Sequence, residues 1–170
     1  MNGNAPNDPN DMGTPHASNG PSDPNVSLDY VTRTEGETEL VACTLAGRLR
    51  AGDVVLLHGN LGAGKTAFVR GLALGLGIKP EDVSSPTFTL VHEYRGGRLV
   101  LYHADLYRLE RAATEDLGLE EMGVEDGVLA IEWPDRLTHI LPGAQHVHID
   151  VVDEHTRRIQ LAAAPGYSMR

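Results

Sequence analysis

The sequence predicts a single α/β domain with a mixed, partly antiparallel sheet flanked by helices, on the basis of three observations. A short apolar run at residues 54–58 is followed by a glycine-rich turn and then by helical spacing, the order expected for strand, turn and helix. A Gly96-Gly97 pair between two apolar segments favours a tight antiparallel hairpin. The 170 residues suffice for one domain with its own core.

The first 27 residues predict a disordered tail. They include no Leu, Ile, Phe, Tyr, Trp, Lys or Arg, so they cannot bury enough apolar area to offset the entropy lost on ordering. The domain is therefore expected over residues 28–170, and it starts with an edge strand at 28–32. Thr34-x-x-Glu37 then has the form of a capping box, which begins a helix that continues through Leu45 and Leu49.

The segment Gly59–Thr66 fits the phosphate-loop pattern G-x-x-x-x-G-K-[ST], with the strand before it and the helix after it that the pattern requires. Its glycines let the backbone approach an anion, and successive N–H groups at the helix start cradle phosphates. Lys65 is expected to reach the β- and γ-phosphates and Thr66 to ligate Mg²⁺, so the fold is predicted to be phosphate-loop NTPase-like. The predicted nucleotide-binding residues of the loop are Gly59, Asn60, Leu61, Gly62, Ala63, Gly64, Lys65 and Thr66.

Two further predicted strands each lead to an acidic residue. The return strand of the hairpin, residues 99–103, precedes Asp105, and the apolar run 128–131 precedes Glu132. Open α/β sheets place ligand chemistry at the carboxyl ends of their strands, so both acids are expected near the phosphate loop. There such an acid holds the Mg²⁺ shell or polarises water. The structural alternatives are a helix cap for Asp105 and an arginine partner for Glu132.

Shorter elements complete the predicted domain. A polar helix is expected over residues 110–122, and a short helical piece over residues 134–140. The last hairpin alternates between apolar and polar residues, so His146 and His148 share one strand face. Two histidines without a third ligand in view favour a solvated face over a metal site.

Composition excludes several classes of function. The net charge of −10 disfavours direct, tight binding of DNA or RNA, which needs a basic surface. A single cysteine, Cys43, excludes an internal disulfide and a cysteine-based zinc site, and it indicates a reducing cytosol. No apolar run approaches the roughly 20 residues that span a bilayer, and no signal peptide is visible. A cytoplasmic protein that does not use a membrane is therefore expected.

Four segments in this order resemble the TsaE (YjeE) family, small bacterial ATPases needed for threonylcarbamoyladenosine modification of tRNA. They are the phosphate loop, SPTFTL at 85–90, HADLYRL at 103–109 and IEWP at 131–134. The resemblance covers residues 30–165 and implies an α/β phosphate-loop domain that hydrolyses ATP with Mg²⁺, slowly when alone. It also implies two partner proteins, TsaB and TsaD. TsaD would transfer the threonylcarbamoyl group, whereas this chain would contact tRNA only indirectly and would not transfer the group.

The resemblance also implies roles for single residues. Thr87 would lie in a switch-like segment that senses the γ-phosphate, and Arg157 is the candidate for a further nucleotide contact, with adenine near residues 34–38. Asn60 is a departure, because the family usually has Asp there, but this position is held mainly by its backbone. The implied catalytic residues are Lys65, Thr87, Asp105, Glu132 and Trp133, and the implied metal ligands are Thr66, Asp105 and Glu132.

The predicted reaction is phosphoryl transfer from ATP to water, with Mg²⁺ held by Thr66 and one acid while the other acid orients the water. No arginine is placed obviously enough to stabilise the transition state, so a partner is expected to complete the site. A small-molecule kinase is one alternative, although residues 110–127 offer only Arg111 for a lid. A non-catalytic nucleotide-dependent switch is another. A guanine-specific GTPase is disfavoured, since no N-K-x-D tetrapeptide follows the loop.

Overall fold

The computed structural model describes residues 27–110 and 117–163, which form one seven-stranded sheet and two α-helices. The predicted tail, residues 1–27, lies outside the described residues except for Ser27. The helices are α1 (Glu35–Ala46) and α2 (Lys65–Leu76). The strands are β1 (Leu28–Thr32), β2 (Val54–His58), β3 (Val91–Tyr94), β4 (Val100–Asp105), β5 (Gly127–Glu132), β6 (Gln145–Val151) and β7 (Arg157–Ala163).

The sheet is mixed, as predicted, with the strand order β1-β7-β6-β2-β5-β4-β3. Its centre is parallel, because β2 pairs in parallel with both β5 and β6, and β4 pairs in parallel with β5. Its two edges are antiparallel, through β3 on β4 and through β7 between β6 and β1. The carboxyl ends of the four central strands therefore meet at one rim, and there Asp105 and Glu132 are register partners.

Both helices pack on one face of the sheet and bury the larger core against β2, β5 and β6. They cross at close range, because two glycines of α2 face α1. A Cβ on Gly71 would lie 2.2 Å from the carbonyl oxygen of Glu39, and one on Gly75 would lie 2.6 Å from the Cβ of Ala46. Such distances exclude any side chain at these two positions unless the helices move apart.

The start of α1 confirms the predicted cap with one difference. The hydroxyl of Thr34 accepts a hydrogen bond from the Glu37 backbone N–H at 3.1 Å. The Glu37 carboxylate accepts from the backbone N–H of Arg33 at 2.6 Å, one residue before the position that a capping box uses. At its other end α1 stops at Ala46, so Leu49 is buried beyond the helix and not within it.

Loops and short 3₁₀ turns cover the second face of the sheet, around a smaller core that includes Leu56, Leu129 and Ile131. The helix predicted over 110–122 is wrong for its described part, which is a single turn at Leu119–Glu121 with Leu119 buried, while residues 111–116 lie outside the described residues. The helical piece predicted over 134–140 is also too long. It ends at Arg136, because extended backbone at residue 137 directs that side chain into this core. Neither α1 nor α2 has the length and hydropathy to cross a bilayer, and the described residues contain no other α-helix.

Candidate functional site

Glycine is required at both ends of the loop between β2 and α2. A Cβ on Gly59 would lie 2.6 Å from the carbonyl oxygen of Ile149, so the loop starts in direct contact with the β6 backbone. Gly64, with φ of +108°, is the left-handed residue from which α2 begins. A Cβ on Gly62 or Gly64 would meet nothing within 4 Å. The loop therefore opens outward as a cradle in which backbone N–H groups can receive an anion.

Lys65 is buried at the floor of this cradle and folded back on its own loop. Its ammonium group donates to the carbonyl oxygens of Gly59 at 2.7 Å and Asn60 at 2.9 Å, and it lies 4.0 Å from the centroid of the Trp133 ring. Burial lowers the pKa of Lys65, and the charges of Glu132 and Asp105 oppose this shift. A phosphate entering the loop would offer this cation a charged partner in place of two neutral carbonyls.

Glu132 connects the start of α2 to the centre of the sheet. Its Oε1 accepts a hydrogen bond from the Thr66 hydroxyl at 2.9 Å and lies 3.0 Å from Nε2 of His103. His103 is fully buried, and its Nδ1 finds no hydrogen-bond partner within residues 27–110 and 117–163. An unpaired lone pair costs less than an unpaired N–H, so the ring proton belongs on Nε2, where it is donated to Glu132. His103 thereby fixes the orientation of this carboxylate.

Asp105 has a different set of partners, although it ends the neighbouring strand. Its Oδ2 accepts from the hydroxyls of Ser85 at 3.0 Å and Thr87 at 2.8 Å, and its Oδ1 accepts from the backbone N–H of Tyr107 at 2.9 Å. Three donors thus satisfy both oxygens of this buried carboxylate. Asp105 therefore connects the 85–90 segment to the rim of the sheet. The bond from Tyr107 resembles a cap, but the element after Asp105 is a turn and not a helix.

One cleft of about 500 Å³ brings these groups together at the rim of the sheet. It is lined by four predicted site residues that lie outside the phosphate loop, namely Thr87, Asp105, Glu132 and Trp133. It also contains Leu61, Gly62, Gly64, Lys65 and Thr66 from the loop. The carboxyl end of β5 lies beside that of β2, and β4 lies parallel on the other side of β5, so the parallel register accounts for this convergence.

Arg157 lies on the other side of the phosphate loop and is not among the described residues that line the cleft. Its Nε donates to the carbonyl oxygen of Ala63 at 3.1 Å, and one guanidinium nitrogen donates to the carbonyl oxygens of Asp153, Glu154 and Thr156. The Arg157 side chain therefore contacts the loop at a backbone carbonyl. A nucleotide contact by Arg157 stays a prediction.

Sequence reasoning missed several contacts and residues in or behind the cleft. Ser85 lies in a segment quoted above, but only the structure pairs its hydroxyl with Asp105. His103 stands two residues before Asp105 on β4, and that strand spacing was the available signal that both point to one side. Two arginines also line the cleft: Arg70, which lies 3.4 Å from Glu35, and Arg108, whose guanidinium lies 4.4 Å from the Phe88 ring centroid.

Comparison with known proteins identifies the family. Residues 32–160 match the family model described as "Threonylcarbamoyl adenosine biosynthesis protein TsaE". This chain belongs to the TsaE family. A TsaE of Bacillus subtilis is 46% identical over 115 residues, which cover 68% of this chain and 72% of that protein. A TsaE of Nostoc is 42% identical over 144 residues, which cover 80% of this chain and 88% of that protein.

A solved structure agrees with the TsaE assignment. The crystal structure of Bacillus subtilis YdiB superposes with a TM-score of 0.67 at 34% identity, and the match covers 82% of this chain and 87% of that chain. The curated relatives named above each carry the name "tRNA threonylcarbamoyladenosine biosynthesis protein TsaE". The family resemblance and the phosphate-loop α/β fold predicted from the sequence are thereby confirmed.

Proposed function

We propose that this TsaE-family chain is a Mg²⁺-dependent ATPase. The observation that carries the proposal is the contact between the Thr66 hydroxyl and the Glu132 carboxylate, at the point where the phosphate loop becomes α2. A hydroxyl and an acid at this place are the pair that phosphate-loop NTPases use around the ion. The register partner Asp105 adds a second acid to the same rim.

The donor set of the cleft fits Mg²⁺. This ion prefers oxygen ligands, and Thr66, Asp105 and Glu132 offer a hydroxyl and two carboxylates within one cleft. Thr66 with one of the two acids would hold it. When bound, Mg²⁺ neutralises charge on the β- and γ-oxygens of ATP.

The chain's own residues would then have separate roles in binding ATP and in positioning the attacking water. Lys65 exchanges its two carbonyl partners for phosphate oxygens and adds positive charge there. The acid that does not hold the ion orients a water towards the γ-phosphate and accepts its hydrogen bond, and His103 fixes the orientation of Glu132 for either role. Thr87 bonds to Asp105, so a contact between Thr87 and the γ-phosphate would alter the environment of that acid. The 85–90 segment thereby senses whether ATP or ADP is present.

Among the described residues, the two arginines that line the cleft already have partners, which supports slow hydrolysis by the isolated chain. Arg70 faces Glu35, and Arg108 stacks on Phe88. A positive charge supplied to the transition state raises phosphoryl-transfer rates by about 10³–10⁵-fold in related chemistry. We infer that a bound partner either supplies this charge or redirects one of these two side chains.

The biological role follows from the family. Relatives of similar length are named for tRNA threonylcarbamoyladenosine biosynthesis. We propose that this chain supports the same modification in the cytoplasm, with TsaB and TsaD as its partner proteins, by coupling ATP turnover to repeated cycles of the modifying complex. Its net charge of −10 supports an indirect contact with tRNA through that complex.

The test is ATP turnover in the presence of TsaB and TsaD. Lys65→Ala, Asp105→Ala and Glu132→Ala should each lower the release of inorganic phosphate by at least about 100-fold. Lys79→Ala is the matched control, because Lys79 is the chain's other lysine and is exposed on the surface. Unchanged turnover in all three site variants would overturn the proposal.

Product analysis separates the alternatives. A phosphorylated small molecule in place of inorganic phosphate would indicate a kinase, and intact ATP after a single-turnover reaction with both partners would indicate a switch. Co-purification with and without ATP tests the partners separately. Recovery of no tRNA-modification protein under either condition would contradict the proposed role while leaving the ATPase reaction to the turnover assay.

A further inference from the structure

Three histidines form a cluster on the sheet face that lies away from α1 and α2. His58 ends β2, and His146 and His148 lie on the adjacent β6. One ring nitrogen from each residue lies within 4.8 Å of the other two, and Nε2 of His58 is 3.0 Å from Nδ1 of His146. The three imidazoles stack with interplanar angles of 12°. Burial, reinforced by the two neighbouring imidazoles, lowers the pKa of His58 to about 4.

Because β2 and β6 are parallel neighbours, His58 lies beside His146 and His148, the pair identified from the sequence. His58 pairs with His148, and Leu56 pairs with His146, so the three rings extend from one face of two adjacent strands. A solvated strand face was predicted for His146 and His148 because no third ligand was in view. The reason for that interpretation no longer holds, because His58 is a third histidine and shares a hydrogen bond with the partly buried His146.

We propose that His58, His146 and His148 bind one zinc ion. Three imidazole nitrogens suit Zn²⁺ and leave its fourth position to water, whereas Mg²⁺ prefers oxygen. Zinc–nitrogen bonds of about 2.0–2.1 Å in a tetrahedral site require nitrogens about 3.3 Å apart. The three nitrogens, all within 4.8 Å of one another, would reach that separation as the rings tilt out of their stack and their lone pairs converge.

Asp135 places a carboxylate behind His58, and most histidine ligands of zinc have such a partner behind the ring. One of its oxygens lies 3.9 Å from Nδ1 of His58. Nε2 of His58 is directed towards His146, which leaves Nδ1 on the side of this carboxylate, to which it would donate once the two groups close to hydrogen-bond distance. A carboxylate behind a histidine fixes the ring and strengthens it as a ligand. Asp135 is therefore a positioning residue of the proposed site and not a ligand.

The proposed zinc site lies next to the nucleotide cleft without sharing its ligands. His58 immediately precedes Gly59, the first residue of the phosphate loop, and Asp135 follows Trp133 by two residues. An ion bound here would connect the end of β2 to β6 and hold the start of the loop in place. It would act on the position of the loop, and not on the phosphoryl group.

The experiment is calorimetric titration of ZnCl₂ into the full, untagged and metal-free chain without nucleotide. We expect saturable binding of one ion per chain. His146→Gln and His148→Gln should each weaken binding by at least about 100-fold, and Asp135→Asn by about 10–100-fold, the usual range for a partner behind a ligand. Co²⁺ in place of Zn²⁺ should give the visible absorption of a four-coordinate ion in the unmodified chain and not in His148→Gln.

The control is His155→Gln, because His155 is an exposed histidine in the turn between β6 and β7. It should bind zinc as the unmodified chain does. Thermal unfolding without metal verifies that each variant folds, and zinc should then raise the melting temperature of the unmodified chain and of His155→Gln but not of His146→Gln. Absence of one-to-one binding by the unmodified chain would overturn the proposal, as would equal zinc affinity in the His146, His148 and His155 variants.

Discussion

The ammonium nitrogen of Lys65 lies 4.0 Å from the ring centroid of Trp133, so the cation of the phosphate loop rests on the chain's single tryptophan. A contact of this kind contributes about 0.5–1 kcal/mol when exposed and about 2 kcal/mol when desolvated. Trp133 has φ of 61°, a left-handed conformation that is costly for a bulky residue and that aims its ring across the cleft. The tryptophan is therefore a direct reporter of where Lys65 is.

The first prediction uses that reporter. Mg²⁺-ATP should draw Lys65 off the ring and change the intrinsic fluorescence of Trp133, since phosphate oxygens bind the ammonium group more strongly than the ring does. Titration of nucleotide with fluorescence detection measures the effect. Lys79→Ala should respond as the unmodified chain does, and Lys65→Ala should not respond. A full response from Lys65→Ala would show that the signal does not arise from this contact.

The second prediction separates binding from hydrolysis at Glu132. Glu132→Gln keeps an oxygen that can accept from Thr66 and His103 but loses the negative charge. Partner-stimulated turnover should fall by about 100-fold or more, while binding of a fluorescent ATP analogue changes much less. Glu154→Gln, at an exposed turn, is the control. If the affinity for the ATP analogue and the turnover fell by the same factor, Glu132 would contribute to nucleotide binding and not specifically to hydrolysis.

The third prediction concerns the contact between the two helices. Gly71→Ala forces a methyl group against the backbone of α1 and should lower the free energy of unfolding by about 1–3 kcal/mol. Gly47→Ala is the matched control, because Gly47 has φ of −58° and its added Cβ would meet the Thr44 carbonyl oxygen at an ordinary 3.5 Å. Thermal or denaturant unfolding of both variants measures the difference in their free energies of unfolding. Equal stability would mean that the helices are not held at this distance in solution.

The fourth prediction is a pH dependence at the edge of the sheet. The guanidinium of Arg158, hydrogen-bonded to Asp29, lowers the pKa of that carboxyl below its ordinary value of 3.8. A depressed pKa stabilises the fold above pH 3.8, and this contribution is lost as the pH falls through the lowered value. Asp29→Asn should therefore be slightly less stable than the unmodified chain at neutral pH, and the gap should close in acid.

The gap should be small, because both side chains are substantially exposed and screened by solvent. Concentrated salt should reduce it further, and urea unfolding across the pH range measures it. A gap that persists in acid would assign the effect to packing of the strand edge and not to the charge of Asp29.

Sequence patterns predicted what depends on local chemistry. The phosphate loop, the hairpin at Gly96-Gly97 and the acids that end β4 and β5 all follow from residue types and spacing. The hydroxyl pair on Asp105 and the contact of His103 with Glu132 depend on which strands are neighbours, and periodicity does not specify that. The third histidine was missed for the same reason, since β2 and β6 are adjacent in the sheet but distant in the chain.

The glycines of α2 have a consequence for how the cleft can open. Because Gly71 and Gly75 hold α2 against α1 at backbone distance, the side of the cleft that carries Glu35 and Arg70 is expected to behave as one rigid body. Residues 85–90 are held mainly by hydrogen bonds to Asp105 and by turns. Hydrogen exchange with and without nucleotide should accordingly change at 85–90 and stay constant across the facing helices. Only the 85–90 side of the cleft is therefore expected to move when nucleotide binds. A partner that detects nucleotide would have to contact that side.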